Sequence, residues 1–155
     1  MIEVGQKAPA FGLYDTEKNK VSLSDLAGKK VLLLFFPLAF TSVCTTELCS
    51  VRDNISAYNN LNTSVFGISV DSPQTLKKFK EDQHLNFELL SDFNKDASNA
   101  YDAIYQTFSL EMKGVSKRAA FVIDRNGILR YREVLASAGE IPNFIAVKNA
   151  LELIA

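Results

Sequence analysis

Two continuously apolar segments stand out in the hydrophobic pattern of the chain, at residues 31–36 and 64–70. Each is followed within three residues by a proline, and short apolar runs of this kind are typical of strands buried on both faces of a sheet. Between them, apolar side chains recur at spacings of three, four and three, which predicts a helix with an inward face of Leu48, Val51, Ile55 and Tyr58. The order strand, helix, strand predicts a βαβ unit with parallel strands.

Downstream of this unit, the pattern continues as alternating helices and strands. Pro73 suits the first turn of a helix that runs towards His84. The inward face of this helix is expected to carry Leu76 and Phe79. Residues 87–90 predict a short strand, and residues 97–105 predict a further helix.

The last forty residues predict a β-hairpin followed by a helix. The segments AAFVID and ILRYREV flank Arg125-Asn126-Gly127, and Asn-Gly between two apolar runs is a strong hairpin signal. Pro142 opens a helix whose inward face would carry Phe144, Val147, Leu151 and Ile154. The whole order of elements predicts an α/β fold, a thioredoxin-like mixed sheet flanked by helices with an N-terminal strand extension.

The composition fits one globular domain spanning residues 1–155. Of the 155 residues, 47% are hydrophobic and 23% are charged, which supplies a sizeable core. A net charge of -1 with no block of like charges argues against nucleic acid as a partner. The longest apolar run is too short to cross a membrane, and the first residues lack the pattern of a signal peptide. We therefore expect a cytoplasmic protein with no membrane partner.

The two cysteines carry the candidate chemistry. In a reducing compartment they are more often reactive or simply buried than joined in a permanent disulfide. A zinc site is not expected, because His84 is the only histidine and lies far along the chain from Cys44 and Cys49. We expect no metal and no other cofactor.

Cys44 lies where a helix is expected to begin. Thr41 and Ser42 are good N-cap residues, so Cys44 falls in a first turn whose unpaired N–H groups and dipole favour a thiolate. It also shares the inward stripe of Leu48 and Val51, so its side chain should point towards the sheet. The pattern alone leaves two interpretations, a nucleophile or a small buried hydrophobic residue.

The residues around Cys44 favour the nucleophile. Pro37, Thr41 and Cys44 form P-x-x-x-T-x-x-C directly after an apolar strand, which closely resembles the peroxidatic motif of the peroxiredoxins. GQKAPAF near the start is similar to the G-x-x-A-P-x-F of that family, and the segment from Arg118 to Asp124 resembles its R-x-x-F-V-I-D. The resemblance covers almost the whole chain. Its details are similar to two branches, the AhpE type and the bacterioferritin-comigratory or PrxQ type.

The resemblance implies a thiol-dependent peroxidase that reduces hydrogen peroxide and organic hydroperoxides through a sulfenic acid at Cys44. Thr41 and the N–H groups of the first turn would bind the peroxide oxygens, while Arg118 stabilises the thiolate and the developing oxyanion. Pro37 would shield the thiolate, and Glu47 would hold Arg118. Each residue also has a structural interpretation: Arg118 at a strand edge, Thr41 as a cap, Pro37 as a strand end and Glu47 as a partner of the helix dipole.

Cys49 is the expected resolving residue. In a regular helix its Cα atom lies about 8.7 Å from that of Cys44, beyond the roughly 7 Å that a disulfide can span. The branch with this spacing implies that the helix opens and that Cys49 condenses with the sulfenic acid. The alternative is a one-cysteine peroxidase resolved by an external thiol. In either case the expected partners are a peroxide and a thioredoxin-like or other thiol reductant.

Two further functions compete with the peroxidase. A thiol-disulfide oxidoreductase on the same fold typically uses C-x-x-C, which C-x-x-x-x-C fits poorly. A redox-sensing interaction module would share the oxidation of Cys44 but act through a partner surface. The resemblance also suggests a homodimer formed around the loops near Cys44, with Phe40 and Tyr105 as contact residues.

Overall fold

Seven strands and five α-helices make up the computed structural model over residues 2–155, the part of the chain that it describes. In chain order they are β1 (Gly12–Asp15), β2 (Lys20–Ser22), β3 (Lys30–Phe35), α1 (Ser42–Asp53), α2 (Ile55–Asn60), β4 (Thr63–Ser69), α3 (Pro73–Asp82), β5 (Glu88–Ser91), α4 (Asp96–Ala100), β6 (Ala119–Ile123), β7 (Leu129–Val134) and α5 (Phe144–Glu152). Short 3-10 helices lie at Leu23–Leu26 and Ser109–Glu111.

The strands form one mixed sheet in the order β2-β1-β5-β4-β3-β6-β7. The pairs β3–β4 and β4–β5 are parallel, whereas all other neighbours in this order are antiparallel. The predicted parallel βαβ unit is therefore confirmed, and so is the antiparallel β6–β7 hairpin. The N-terminal extension is the β1–β2 hairpin, which joins the sheet through β5.

β3 is an interior strand between β4 and β6, and every residue from Lys30 to Phe35 is buried. Its successive side chains point to opposite faces, so Leu32 and Leu34 join one core while Leu33 and Phe35 join another. Helices α1, α3 and α5 contribute apolar side chains to the first core, and α4 contributes to the second. This arrangement confirms the predicted sheet flanked by helices, and it places α1 on the face of the sheet that carries Leu32 and Leu34.

The predicted helix through Tyr58 is broken at Asn54. The structure has α1 ending at Asp53 and a separate α2, joined at Asn54, whose side-chain amide donates to the Ser50 carbonyl oxygen at 2.9 Å. Asparagine side chains compete with the helix ladder for backbone groups, which explains a break that hydrophobic spacing did not predict.

Two other helices differ from their predicted extents. α4 ends at Ala100 and not near residue 105, because Asp102 adopts a left-handed φ of 53° that redirects the chain. The last helix begins at Phe144, capped by the Asn143 side chain, which accepts from the N–H of Ala146. Pro142 therefore precedes α5 and does not open it, and Ile154 follows its end.

Candidate active site

The segment after β3 is held by the end of the neighbouring strand. Beyond β3 the chain passes through Pro37, which is buried, and reaches α1 over residues 37–41. Asp71, two residues past β4, accepts a hydrogen bond from the N–H of Ala39 at 2.8 Å and another from the Ser69 hydroxyl at 2.6 Å. Because β3 and β4 are paired, one carboxylate fixes the loop before α1 against the sheet.

Thr41 lies at the N-cap position of α1, as predicted, but within the described residues its hydroxyl caps no helix N–H group. The hydroxyl instead donates to the Leu38 carbonyl oxygen at 2.7 Å. In an α-helix the N–H groups of the first turn have no earlier turn to bond with, so those of Val43 and Cys44 are available to an anion.

Cys44 is the third residue of α1 and only 1% of its surface is exposed. Its side chain belongs to the core that includes Leu48 and Val51, which confirms the predicted inward stripe. The thiol therefore lies at the positive end of the helix and beneath the surface, where water competes poorly for it.

Arg118, the residue before β6, contacts the same thiol. Its side chain is 1% exposed, so it is not the surface residue that the structural interpretation required. Nη2 lies 3.3 Å from Cys44 Sγ, and Nη1 donates to Glu47 Oε1 at 2.7 Å. Nη2 and Nε also donate to the Ala138 carbonyl oxygen, at 2.9 and 3.3 Å. Four hydrogen bonds to three different groups fix the plane of this guanidinium.

Glu47 is completely buried, and burial raises the pKa of its carboxyl to about 7, against the opposing attraction and hydrogen bond of Arg118. Its second oxygen, Oε2, has no hydrogen-bond partner among residues 2–155. For Arg118, burial disfavours the charged form, but attraction to Glu47 and Cys44 and hydrogen bonds to both outweigh it, so its pKa is raised. The guanidinium therefore stays charged beside the thiol.

Cys49 lies apart from this group, although it belongs to the same helix. Both cysteines are free thiols, and Cys49 is half-buried, with its Sγ donating to Gln83 Oε1 at 3.5 Å. The structure thus brings together Cys44, Glu47 and Arg118, keeps Thr41 and Pro37 in the loop that leads to them, and turns Cys49 towards α3.

Three contacts of this region were missed by the sequence reasoning. Asp71 follows a strand parallel to β3, and its place at the same sheet edge was a usable signal. The Ala138 carbonyl oxygen and the Gln83 side chain carry no such signal, because a backbone acceptor and an isolated glutamine have no distinctive pattern.

The arrangement of metal-ligating side chains is a separate feature of the part of the chain that the structure describes. Among residues 2–155, no group of three or more His, Cys, Asp or Glu side chains is arranged to hold a metal ion. In the same part of the chain, no helix is both long and apolar enough to cross a membrane. What the site offers is a buried thiol beside a fixed positive charge, with free N–H groups at a helix start.

Comparison with known proteins identifies the family of the chain. Residues 4–132 match the AhpC/TSA family. Alkyl hydroperoxide reductase E of Mycobacterium tuberculosis is 39% identical over 142 residues, which cover 91% of this chain and 90% of the relative.

Two crystal structures agree over nearly the whole fold. Peroxidoxin BcpB from Mycobacterium tuberculosis superposes with a TM-score of 0.87 and 26% identity, covering 100% of this chain and 99% of the other. A reduced 2-Cys peroxiredoxin of Plasmodium vivax gives a TM-score of 0.85 and 29% identity, covering 98% of this chain and 81% of the other. The predicted thioredoxin-like fold is thereby confirmed. The chain belongs to the AhpC/TSA family and is a peroxiredoxin, a thiol-dependent peroxidase.

Proposed function

We propose that Cys44 is the peroxidatic residue of this enzyme, acting on hydrogen peroxide and organic hydroperoxides. The thiolate sulfur attacks one peroxide oxygen, the O–O bond breaks, and a sulfenic acid forms at Cys44. The departing oxygen takes up a proton and leaves as water or as an alcohol. The observation that carries the proposal is the 3.3 Å contact between Arg118 Nη2 and Cys44 Sγ.

Arg118 is proposed to act on both ends of the reacting group. Negative charge moves from sulfur to the departing oxygen during the attack, so a fixed cation beside the sulfur can stabilise the thiolate and then the developing oxyanion. Glu47 is a positioning residue in this scheme, because it holds Nη1 while Nη2 faces the thiol. The carbonyl of Ala138 supports the same orientation from the opposite side of the guanidinium.

Thr41 and Pro37 are proposed to shape the place where the peroxide binds. The Thr41 hydroxyl uses its proton on Leu38, so its oxygen is left to accept the proton of a hydroperoxide. The N–H groups of Val43 and Cys44 can donate to the peroxide oxygens from the helix start. Pro37 has no N–H group and is buried beside the loop, which limits the access of water to the thiolate.

Cys49 is proposed to resolve the sulfenic acid. Both cysteines lie in one continuous helix, so a disulfide between them requires part of α1 to unwind. An external reductant, thioredoxin-like or another thiol, would then reduce the disulfide and return Cys44 to its starting state. The competing scheme is a one-cysteine cycle in which the external thiol reacts directly with the sulfenic acid.

The proposed setting is the cytoplasm, where thiol reductants are abundant. We further propose that residues 1–155 act as one domain, since the described strands all belong to a single sheet. A homodimer around the loops near Cys44 is proposed on the exposed ring of Phe40, with Tyr105 as a second contact residue.

A stopped-flow measurement tests the central proposal. The reduced protein is mixed with hydrogen peroxide, and the second-order rate of Cys44 oxidation is compared with that of free cysteine at the same pH. We expect an acceleration of about a thousandfold or more, since positioned electrostatic donors typically contribute at this scale. A rate equal to that of free cysteine would contradict the peroxidase assignment and favour a disulfide exchanger or a sensor.

A further inference from the structure

The two halves of α1 are held by different parts of the protein. Residues 42–47 carry Cys44 and Glu47, and both of these side chains bind Arg118. Residues 48–53 carry Cys49 and face the segment that follows α3. This division matters because the proposed resolving reaction requires the helix to unwind somewhere between the two cysteines.

Three hydrogen bonds join the second half of α1 to that segment. Cys49 Sγ donates to Gln83 Oε1 at 3.5 Å, and Arg52 Nη1 donates to the Gln83 carbonyl oxygen at 2.5 Å. Asn86 Nδ2 donates in turn to the Arg52 carbonyl oxygen at 3.2 Å. We call these contacts of Gln83 and Asn86 with Cys49 and Arg52 the Gln83 clasp.

Buried apolar side chains hold the second half in addition to the clasp. Leu48 and Val51 are 0% and 2% exposed and belong to the core under α1. None of the three hydrogen bonds of the clasp involves Arg118 or Cys44. The clasp therefore does not have to break when the peroxide reaction takes place.

The first half of α1 is a weaker helix. Val43, Thr45 and Thr46 are β-branched, which lowers helix propensity. The hydroxyls of Thr45 and Thr46 donate to the carbonyl oxygens four residues earlier, a contact that competes with the backbone ladder.

Oxidation of Cys44 adds an oxygen atom to the first half of α1. Cys44 is 1% exposed, so the oxygen of a sulfenic acid must find room in a packed site beside Arg118. The first half thus loses part of its anchorage at the moment when unwinding is needed.

We propose that Gln83 is a positioning residue for resolution. The Gln83 clasp fixes Cys49, so that the disulfide forms by unwinding residues 42–47 alone and by carrying Cys44 to a stationary Cys49. This inference rests on the proposed resolving role of Cys49 and adds to it the direction of the movement and the residue that sets it.

Cys49 supplies both the attacking sulfur and the proton that the disulfide-forming step requires. Cys49 releases its proton, and its sulfur attacks the sulfur of the Cys44 sulfenic acid; the S–S bond forms as the S–O bond breaks. The departing hydroxide takes up the proton and leaves as water. Arg52 donates from Nε to Asp53 Oδ1 at 2.9 Å, and this hydrogen bond raises the pKa of its guanidinium, whereas burial lowers it and attraction to Cys49 adds to the rise. A positive charge therefore lies beside the clasp.

The experiment compares three variants of the full chain. Gln83→Ala removes the side-chain acceptor, Gln83→Glu keeps one, and Gln74→Ala, the control, removes an exposed glutamine from the neighbouring α3. Rapid acid quench and intact-mass measurement follow the sulfenic acid and the disulfide separately after one equivalent of hydrogen peroxide.

We expect Gln83→Ala to leave sulfenic acid formation unchanged and to slow disulfide formation by about three- to tenfold, because a freed thiol samples more positions. At excess peroxide, the same variant should give more sulfinic acid at Cys44. Gln74→Ala should resemble the wild type in both steps, whereas Gln83→Glu should recover only part of the disulfide rate, because it keeps the acceptor but places a negative charge beside the attacking sulfur. A purely structural role for Gln83 would change both steps together and would not be rescued by glutamate.

Amide exchange locates the unwinding directly. In the disulfide form of the wild type, residues 42–47 should lose protection while residues 48–53 keep it; in Gln83→Ala both should lose it. The inference is overturned if residues 48–53 of the wild type lose protection equally, or if Gln83→Ala forms its disulfide at the wild-type rate or faster. A wild type that keeps a sulfenic acid and forms no disulfide overturns the resolving role of Cys49 as well, whereas the other outcomes leave that role intact.

Discussion

Arg118 and Cys44 are 74 residues apart in the chain, yet Nη2 of the first lies 3.3 Å from Sγ of the second. The contact exists because β6 pairs with β3, so the residue before β6 lies at the sheet edge where β3 ends and α1 follows. The fold thus supplies a fixed cation to a thiol at a helix start.

Replacing the thiol should stop the reaction without disturbing the fold. Cys44→Ser changes a single buried atom, so we expect an unchanged circular dichroism spectrum and a complete loss of peroxide consumption. Cys49→Ser is the matched control and should still react with one equivalent of peroxide. The assignment is wrong if Cys44→Ser retains turnover while Cys49→Ser has none.

Removing the cation should slow the reaction of an intact thiol. Arg118→Ala should lower the second-order peroxide rate by about a hundredfold or more, which corresponds to roughly 3 kcal/mol of transition-state stabilisation. Arg130→Ala is the control, because it removes an exposed arginine and its pair with Asp124 on the same hairpin.

Arg118→Ala also leaves Glu47 buried without its ion-pair partner. Breaking a buried ion pair in this way destabilises a protein by about 3–5 kcal/mol when the remaining charge persists. The double variant Arg118→Ala with Glu47→Gln removes that charge, so it should recover stability in a denaturant titration but not activity. A peroxide rate within about threefold of wild type in either variant would exclude Arg118 from the site.

Stability should depend on pH through Glu47. Its carboxyl titrates near 4.5 in the unfolded chain and at about 7 in the folded protein, so between these values only the folded state keeps the proton. The free energy of unfolding should therefore fall as pH rises from 4.5 to 7, by up to about 3 kcal/mol. Glu47→Gln should remove this contribution, whereas Glu17→Gln, at an exposed site, should leave it in place. Parallel denaturation profiles for wild type and Glu47→Gln would contradict the prediction.

Loss of Cys49, the proposed resolving residue, should expose Cys44 to further oxidation. After one equivalent of peroxide, the wild type should lose two hydrogens as an intramolecular disulfide, whereas Cys49→Ser should gain one oxygen. With excess peroxide, Cys49→Ser should accumulate sulfinic acid faster than the wild type. A wild type that also holds a stable sulfenic acid would indicate the one-cysteine cycle.

Assembly can be tested at the loop before α1. The Phe40 ring is 51% exposed, although it contacts the Phe79 ring with a centroid separation of 5.1 Å. If this ring lies in a dimer interface, sedimentation should report a dimer for the wild type and a monomer for Phe40→Asp. Ile145→Asp, on exposed α5 surface, is the control and should remain dimeric. A wild type that sediments as a monomer at high concentration would exclude the dimer.

Strands β3 and β4 and the position of Cys44 followed from local pattern. Both strands lie on largely apolar runs, and the first turn of α1 is marked by Thr41 and Ser42, so these elements depend on a few neighbouring residues. The residues of the Cys44 motif, Pro37, Thr41 and Cys44, also lie close together in the chain. Local signals of this kind are the ones that a single sequence carries best.

The rest of the site depends on contacts between distant segments. The Ala138 carbonyl oxygen accepts from Arg118 because the chain after β7 returns to the site. This contact uses the backbone, so the identity of residue 138 does not predict it. The break at Asn54 likewise depends on one side-chain bond to Ser50 and not on hydrophobic spacing. Periodicity describes which face of an element is buried, but it does not describe which backbone groups a polar side chain will take.

Asp71 couples the accessibility of the Cys44 thiol to the pairing of the sheet. Its carboxylate joins the end of β4 to the loop that leads from β3 to Cys44, so one side chain connects the two parallel strands to the segment that carries the thiol. A fluctuation that separates β3 from β4 therefore strains the contact that holds this loop, even in the absence of peroxide. The rate at which a bulky alkylating reagent reaches Cys44 should rise when Asp71→Asn weakens this connection.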